Sequence, residues 1–499
     1  GLECTEAHVT VRELLRGEEP IELAKGTAKF EKGTATVQLS VTLERAGPCV
    51  VEVSMQAPPG DTIPENDTRV LTFNVTRDRI RLLHVAGHPS YDARALRRWL
   101  KSDESLDLVA FFILRTEGDD PQASDSDLAL IPFPVDDLFQ GEPLRSFDAV
   151  VLQDIDSVEY KFAKYLDPLA RYVRAGGGLV MVGGASSFTA GGYAGTKLEQ
   201  VLPVHLDQRE RPFDGVEFVP RYTESGRQAP VLHALRALVG DQLPSMAGSN
   251  TLGPAREGAL VLWEHPERRA GGEPMPVLAL GEAGDGRAIA LGVDGTHLLA
   301  FSQMAAAVAG RGYGALWDGL LRWLMRDPRV EAARMELVGE CIAGEPATLR
   351  LVRTAGATGS VRLRLEQLGV ETTKPLEFAP KADATGSIEV DLGRLKPGGY
   401  TVSARIGAAP PTRYDFACER GGQAWSDSRP DPARLERISK ATGGRAVSVE
   451  SVGDLPLPAA TEVTAERHVS PLLPPWAWTL MAALALGGHW FVRRRGGLA

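Results

Sequence analysis

The order of apolar runs between residues 80 and 183 limits the possible folds more than any other feature of the chain. Ile80-Arg-Leu-Leu-His-Val-Ala86, residues 106–114, Phe147-Asp-Ala-Val-Val-Leu152 and Gly178-Leu-Val-Met-Val-Gly183 are short and almost wholly apolar. A strand reads this way when both of its faces are buried, as in a parallel sheet covered by helices. Residues 87–100 and 161–175, between these runs, have the period and length of helices. The sequence therefore predicts βαβ units and one mainly parallel sheet. Pro276-Val-Leu-Ala-Leu280 and Gly286-Arg-Ala-Ile-Ala-Leu-Gly-Val-Asp294 read as a late hairpin, and residues 313–326 as an amphipathic helix with Trp317 and Trp323.

On either side the rhythm has period two. Thr36-Val-Gln-Leu-Ser-Val-Thr-Leu43, Cys49-Val-Val-Glu-Val-Ser-Met55 and Val70-Leu-Thr-Phe-Asn-Val75 alternate before the α/β region. Ala347-Thr-Leu-Arg-Leu-Val352, Ser360-Val-Arg-Leu-Arg-Leu365, Ser387-Ile-Glu-Val-Asp-Leu392 and Tyr400-Thr-Val-Ser-Ala-Arg405 alternate after it. Alternation marks strands with one buried face, and the spacing predicts a small sandwich on each flank. At 499 residues the chain exceeds what one core can organise. The expected architecture is multidomain α+β: an Ig-like N-terminal β-sandwich at 1–78, the α/β domain at 79–330, a second β-sandwich at 331–420, a short helix and linker at 421–470, and a single transmembrane helix with a basic tail at 471–499.

The transmembrane expectation rests on the run from Leu472 to Val492, in which His489 is the one titratable side chain. As a helix it would be roughly 32 Å long, enough to cross a bilayer core. Trp476, Trp478 and Trp490 stand at its ends as interfacial aromatics, and Arg493, Arg494 and Arg495 follow. The positive-inside rule then puts the tail in the cytoplasm and the bulk of the chain outside it, with the lipid bilayer as a partner along 472–492. Cys4 and Cys49 lie near the start, Cys341 and Cys418 near the end, and neither pair has metal-ligand spacing. In an oxidising compartment each pair is a disulfide candidate. Charge argues against nucleic acid as a partner: 55 Lys+Arg face 65 Asp+Glu, a net −10, with no long basic stretch.

Ligands of α/β sheets bind at the carboxyl ends of the strands. That singles out His88, Tyr91 and Asp92 after the first strand, Asp154 after the third, Ser186, Ser187 and Tyr193 after the fourth, and Asp294 and His297 after the hairpin. Within this region Gly87-His-Pro-Ser-Tyr-Asp92 with Ala95-Leu-Arg-Arg-Trp-Leu100, then Tyr172-Val-Arg-Ala-Gly-Gly-Gly-Leu-Val-Met-Val-Gly-Gly-Ala-Ser-Ser-Phe188, then Gly191-Gly-Tyr193, Thr196 and Leu202-Pro-Val204, resemble the class I glutamine amidotransferase-like domain of bacterial membrane proteins. That domain often accompanies a von Willebrand factor A domain. Gly286-Arg-Ala288, Asp294 and Leu321-Arg-Trp-Leu324 fit the same pattern, so the resemblance covers roughly residues 79–330.

The resemblance implies a flavodoxin-like α/β fold and a bacterial inner-membrane setting with the chain's bulk in the periplasm. In active members a Cys at a sharp strand-to-helix turn attacks the amide, a His activates it and a carboxylate orients the His. Laid over Met181-Val-Gly-Gly-Ala185, the nucleophile position falls at Gly183. No Cys occurs between Cys49 and Cys341, and no His-x-Glu pair occurs near 290–300, so no glutaminase activity is expected. No metal or cofactor is expected either, since Asp119-Asp120 and Asp125-Ser-Asp127 lack calcium-loop spacing. Two readings follow. One is a non-enzymatic binding or assembly module in a membrane complex, beside other membrane-anchored proteins. The other is a cell-envelope hydrolase of amide, ester or glycan bonds with a non-Cys mechanism. A Ser186 or Ser187 hydroxyl within reach of His88, His205 or His297 would favour the second; hydroxyls bonded to backbone groups of the turn would favour the first.

Overall fold

The computed structural model describes residues 5–16, 19–31, 34–43, 47–57, 66–75, 79–112, 136–207, 211–354, 359–370, 375–380, 387–407, 409–420, 431–447, 449–454 and 472–497. The chain forms two compact units, Gly1–Ser428 and Arg429–Ala499.

At the N-terminus β1 (Glu6–Glu13), β2 (Ile21–Lys29), β3 (Gly47–Met55) and β4 (Thr68–Val75) make one antiparallel sheet in the order β2-β1-β3-β4. The expected N-terminal sandwich is corrected by this arrangement, because the described strands of 1–78 form a single layer. Residues 36–43, patterned as a strand, run outside the ladder and lay Val37 and Leu39 over Gly26 of β2. A one-sided sheet must bury its apolar face against a neighbour. Here Leu14, Val50 and Val70 meet Leu368 of the later β region in a small core of their own.

The central domain opens with β5 (Ile80–Ala86), β6 (Leu106–Phe112), β7 (Ala149–Gln153) and β8 (Gly178–Val182). After the short β9 (Phe213–Asp214) come β10 (Arg221–Tyr222), β11 (Ser249–Asn250), β12 (Leu260–Ala270), β13 (Glu273–Ala283) and β14 (Gly286–Leu291). The eight-stranded sheet has the order β10-β12-β13-β14-β8-β7-β5-β6. From β14 to β6 it is parallel, whereas β13, β12 and β10 extend it antiparallel. The five parallel strands follow the doubly wound order whose switch point lies between β5 and β7.

Helices cover both faces: α1 (Tyr91–Ser102), α2 (Gly141–Arg145), α3 (Leu166–Arg174), α4 (Glu224–Gln228), α5 (His233–Val239), α6 (Leu298–Phe301), α7 (Gln303–Ala307) and α8 (Arg311–Leu324). On one face Leu96 and Leu100 of α1 and Trp317 and Leu320 of α8 pack with Leu82, Val180 and Ile289. On the other, Leu169 and Val173 of α3 pack with Leu83, Leu152 and Leu179.

The second sandwich contains β15 (Ala333–Leu337), β16 (Cys341–Ile342), β17 (Pro346–Arg353), β18 (Val361–Gln367), β19 (Leu376–Phe378), β20 (Ser387–Arg394), β21 (Gly398–Ile406) and β22 (Thr412–Glu419). One layer is β15-β17-β20 and the other β16-β22-β21-β18-β19. Cys341 of β16 stands opposite Cys418 of β22 in parallel register and the two form a disulfide that spans 77 residues of sequence. Cys49 is buried; Cys4, its expected partner, lies outside the described residues.

Buried ion pairs join this sandwich to the α/β domain. Arg287 of β14, 1% exposed, donates to Glu331 Oε1 at 2.5 Å, to Glu282 Oε1 at 3.0 Å and to the carbonyls of Trp323 and Pro411. Thr412 Oγ1 donates to the other Glu331 oxygen at 3.0 Å, and Arg413 reaches Asp285 at 2.5 Å.

In the second unit α9 (Pro432–Ala441) starts at Asp431, whose carboxylate accepts from the Arg434 amide at 2.9 Å. α10 (Pro475–Arg495) has no buried residue. The expected transmembrane span is corrected here: among the described residues no helix is long and apolar enough to cross a membrane. Pro475, Thr479, Gly487, Gly488 and His489 fall inside α10 and dilute its run of Leu, Met and Ala.

Candidate functional site

The chemistry gathers at the switch point. Ser90 caps α1, accepting from the Ala93 amide at 3.0 Å, which sets Asp92 in the first turn, where the helix dipole favours a carboxylate. Asp92 is fully buried. It accepts from the His297 amide at 2.6 Å, the Thr296 hydroxyl at 2.7 Å and the Gln153 amide nitrogen at 3.2 Å. Asp92 thus ties the start of α1 to the loop after β14 and to the end of β7. His84 stacks into the same network through Gln153 Oε1, 3.0 Å from its Nε2. Burial pushes the His84 imidazole down to about 4, so it stays neutral near pH 7.

Asp154 follows β7 with φ of +46°, a left-handed conformation unusual for a residue with a side chain. Its carboxylate accepts from the Ser186 amide at 2.7 Å. His88 Nδ1 lies 3.0 Å from the Asp154 carbonyl oxygen and 3.5 Å from its carboxylate. Desolvation raises the Asp154 carboxyl above its usual value, against the Ser186 amide and His88. Asp294 takes the Ser90 hydroxyl at 3.5 Å. Burial first, then the charges of Asp92 and Asp154, push its carboxyl up to about 7. Tyr91, 76% exposed, holds its ring 6.1 Å from that of His297.

The expected nucleophile position is filled. A Cβ at Gly183 would lie 2.5 Å from the Val293 amide nitrogen and 2.6 Å from Asn250 Oδ1, and one at Gly184 would lie 2.2 Å from the Asp154 carboxyl carbon. Asn250 locks this turn, accepting from the Gly184 amide at 3.0 Å and donating to the Gly184 carbonyl at 2.8 Å and that of Ser187 at 3.2 Å. Ser187 is buried and its hydroxyl donates to the Val182 carbonyl at 2.6 Å. Ser186 enters through its backbone amide.

Of the residues expected from the sequence, His88, Tyr91, Asp92, Asp154, Ser186, Asp294 and His297 come together. Ser187 and Tyr193 do not join them; Tyr193 is buried, with its hydroxyl donating to the Ile155 carbonyl at 3.0 Å. His205 pairs through its backbone with Pro254 and Gly253. Sequence reasoning missed Ser90, Gln153, Asn250 and Thr296. Ser90 was readable as an N-cap before Asp92; the other three gain their roles only through long-range approach. Among the described residues no group of three or more His, Cys, Asp or Glu could hold a metal ion. The acidic stretch at 119–127 lies outside the described residues.

No curated protein matches the chain. Among solved structures, the superoxide reductase (neelaredoxin) of Ignicoccus hospitalis aligns at 12% identity over 18% of this chain and 80% of that one, with a TM-score of 0.15. Agd3, described as a novel carbohydrate deacetylase, aligns at 8% identity over 53% of this chain and 34% of that one, with a TM-score of 0.29. At these scores neither likeness carries an argument. The family model described as "Putative glutamine amidotransferase" matches residues 132–326, from ahead of β7 to just past α8. The chain therefore contains a glutamine amidotransferase-like domain; Gln153, Asp154, Ser186, Asn250, Asp294 and His297 of the carboxyl edge fall within the matched residues, and His84 to Asp92 precede them.

Proposed function

We propose that the amidotransferase-like domain acts as a binding or assembly module and not as a glutaminase. The packing around Gly183 carries this reading: a nucleophile needs a side chain there, and Asn250, Gly292 and Val293 occupy the space it would use. The domain also has no thiol to offer, since no Cys lies between Cys49 and Cys341. Amidotransferase chemistry needs that thiolate at a sharp turn, and here the turn is held shut by an asparagine. Full-length protein given glutamine should release no ammonia above a heat-treated control. Sustained, enzyme-dependent ammonia release would sink the reading.

A second reading, a cell-envelope hydrolase, draws support from Asp294 alone. A carboxyl pushed up to about 7 next to the Ser90 hydroxyl has the poise of a general acid or base. Turnover of ester or amide substrates with a pH limb near 7, lost in Asp294→Asn, would establish it.

The setting belongs to the same proposal. A place at the periplasmic face of a bacterial inner membrane, beside other membrane-anchored proteins, is supported by the Cys341–Cys418 disulfide and by α10. That helix exposes Trp476, Trp478, Leu484, Leu486, Trp490 and Phe491 and ends in three arginines, a composition suited to anionic headgroups at the bilayer surface.

A further inference from the structure

We propose that the edge of β10 and the cleft beside it bind an extended peptide carrying an acidic, an apolar and a basic side chain at alternate positions. This rests on the reading of the domain as a binding module and names its partner class. The cleft measures about 750 Å³ and lies between residues 217–222, residues 241–247 and the stretch 298–303. Its last wall continues directly from Thr296 and His297 of the carboxyl edge. Residues 213–218 pair with 246–250, through β9 with β11 and through Phe218 with Met246. The chain then crosses to pair with β12. Beyond Met246 the pairing stops, and residues 241–245 line the cleft together with 219–222. Among the described residues β10 has β12 as its one ladder neighbour.

β10 is two residues long, Arg221 and Tyr222, and Pro220 before it has no N–H to donate, so its unpaired edge is a short template on which a further strand can start. The side chains add specificity. Along 217–222 exposure alternates: Glu217, Val219 and Arg221 are exposed, whereas Phe218, Pro220 and Tyr222 are buried. One side of this segment thus offers the cleft an anion, an apolar side chain and a cation at two-residue spacing. Arg221 has no ion pair among the described residues. Arg227, the other cation of the cleft, lies 3.6 Å from Glu224 and 3.8 Å from Asp241. Among the described residues Glu217 meets the Ser245 hydroxyl, at 3.5 Å. Cross-strand pairs of opposite charge and of apolar groups are the natural complement of such a face. A glycan is the weaker fit, because among the described residues that line the cleft itself the one ring, Tyr222, is buried and cannot stack.

The test uses immobilised seven-residue peptides, Thr-Asp-Thr-Val-Thr-Lys-Thr and its reverse, with the full-length protein in solution. One direction should be retained, and Arg221→Glu should weaken retention by about tenfold. The same variant should regain binding to the peptide in which Asp is replaced by Lys, a rescue that misfolding cannot produce. Alternate backbone N-methylation of the peptide should abolish retention. Retention of neither direction, indifference to Arg221→Glu, or capture of an acidic oligogalacturonate in place of the peptides would each overturn the proposal. Glutamine turnover, by contrast, would sink the binding-module reading and leave a positive peptide result standing.

Discussion

Asp294 is where the physical chemistry of single residues is most exposed to experiment. In the unfolded chain it ionises near pH 4; in the fold, burial and two neighbouring carboxylates hold its proton up to about pH 7. Between those values the native state keeps a proton that the unfolded state has released, so this group's contribution to stability falls as pH rises through the window. Asp294→Asn should therefore match the wild type near pH 4 and exceed it at pH 8 by on the order of 2 kcal/mol, part of the shift being screened by solvent. Denaturant titrations at pH 4, 6 and 8 check this, and a constant difference would contradict it. His84 has the opposite sign: pushed down to about 4, it costs stability as pH falls from about 6.5 towards 4. It does so in both proteins, and the comparison isolates Asp294.

Among the elements, the Cys341–Cys418 bridge closes a sequence span of 77 residues. Replacing both cysteines with alanine should lower the stability of the second sandwich by roughly 2–5 kcal/mol. Denaturant unfolding under non-reducing conditions measures it, and an unchanged midpoint would deny the bridge a role. The central sheet was legible because β5, β7 and β8 are buried on both faces and their sequences say so without context. Residues 36–43 show the limit of that logic. Alternation specifies a half-buried extended segment, which these residues form, but not a ladder partner, which they lack in the sheet. α10 shows another limit: freedom from charge is weaker than apolarity, and glycine, threonine and proline satisfy the first without supplying the second. The site was legible wherever a residue sat at a strand end. Asn250 and Thr296 were not, because nothing local marks an amide or a hydroxyl that meets its partners 66 and 204 residues away.

At the scale of the molecule, Arg287, Glu331 and Thr412 make the α/β domain and the second sandwich one body. Removing one partner leaves a buried charge unanswered. Arg287→Met should cost about 3–5 kcal/mol, whereas Arg287→Met with Glu331→Leu should recover part of that loss. A double-mutant cycle by chemical denaturation reads the difference, and additive losses would show that the pair is not coupled. The sandwich also has a mechanical reading. Cys418 is the next-to-last residue of β22, close to the point where the chain leaves the sheet. Tension drawn through the backbone from beyond Glu419 meets the covalent crosslink to Cys341 before it can peel β22 away from β21. The load then passes through the sulfur bridge to Cys341 and on towards the α/β domain, so residues 342–417 are bypassed and the sandwich is spared from unzipping.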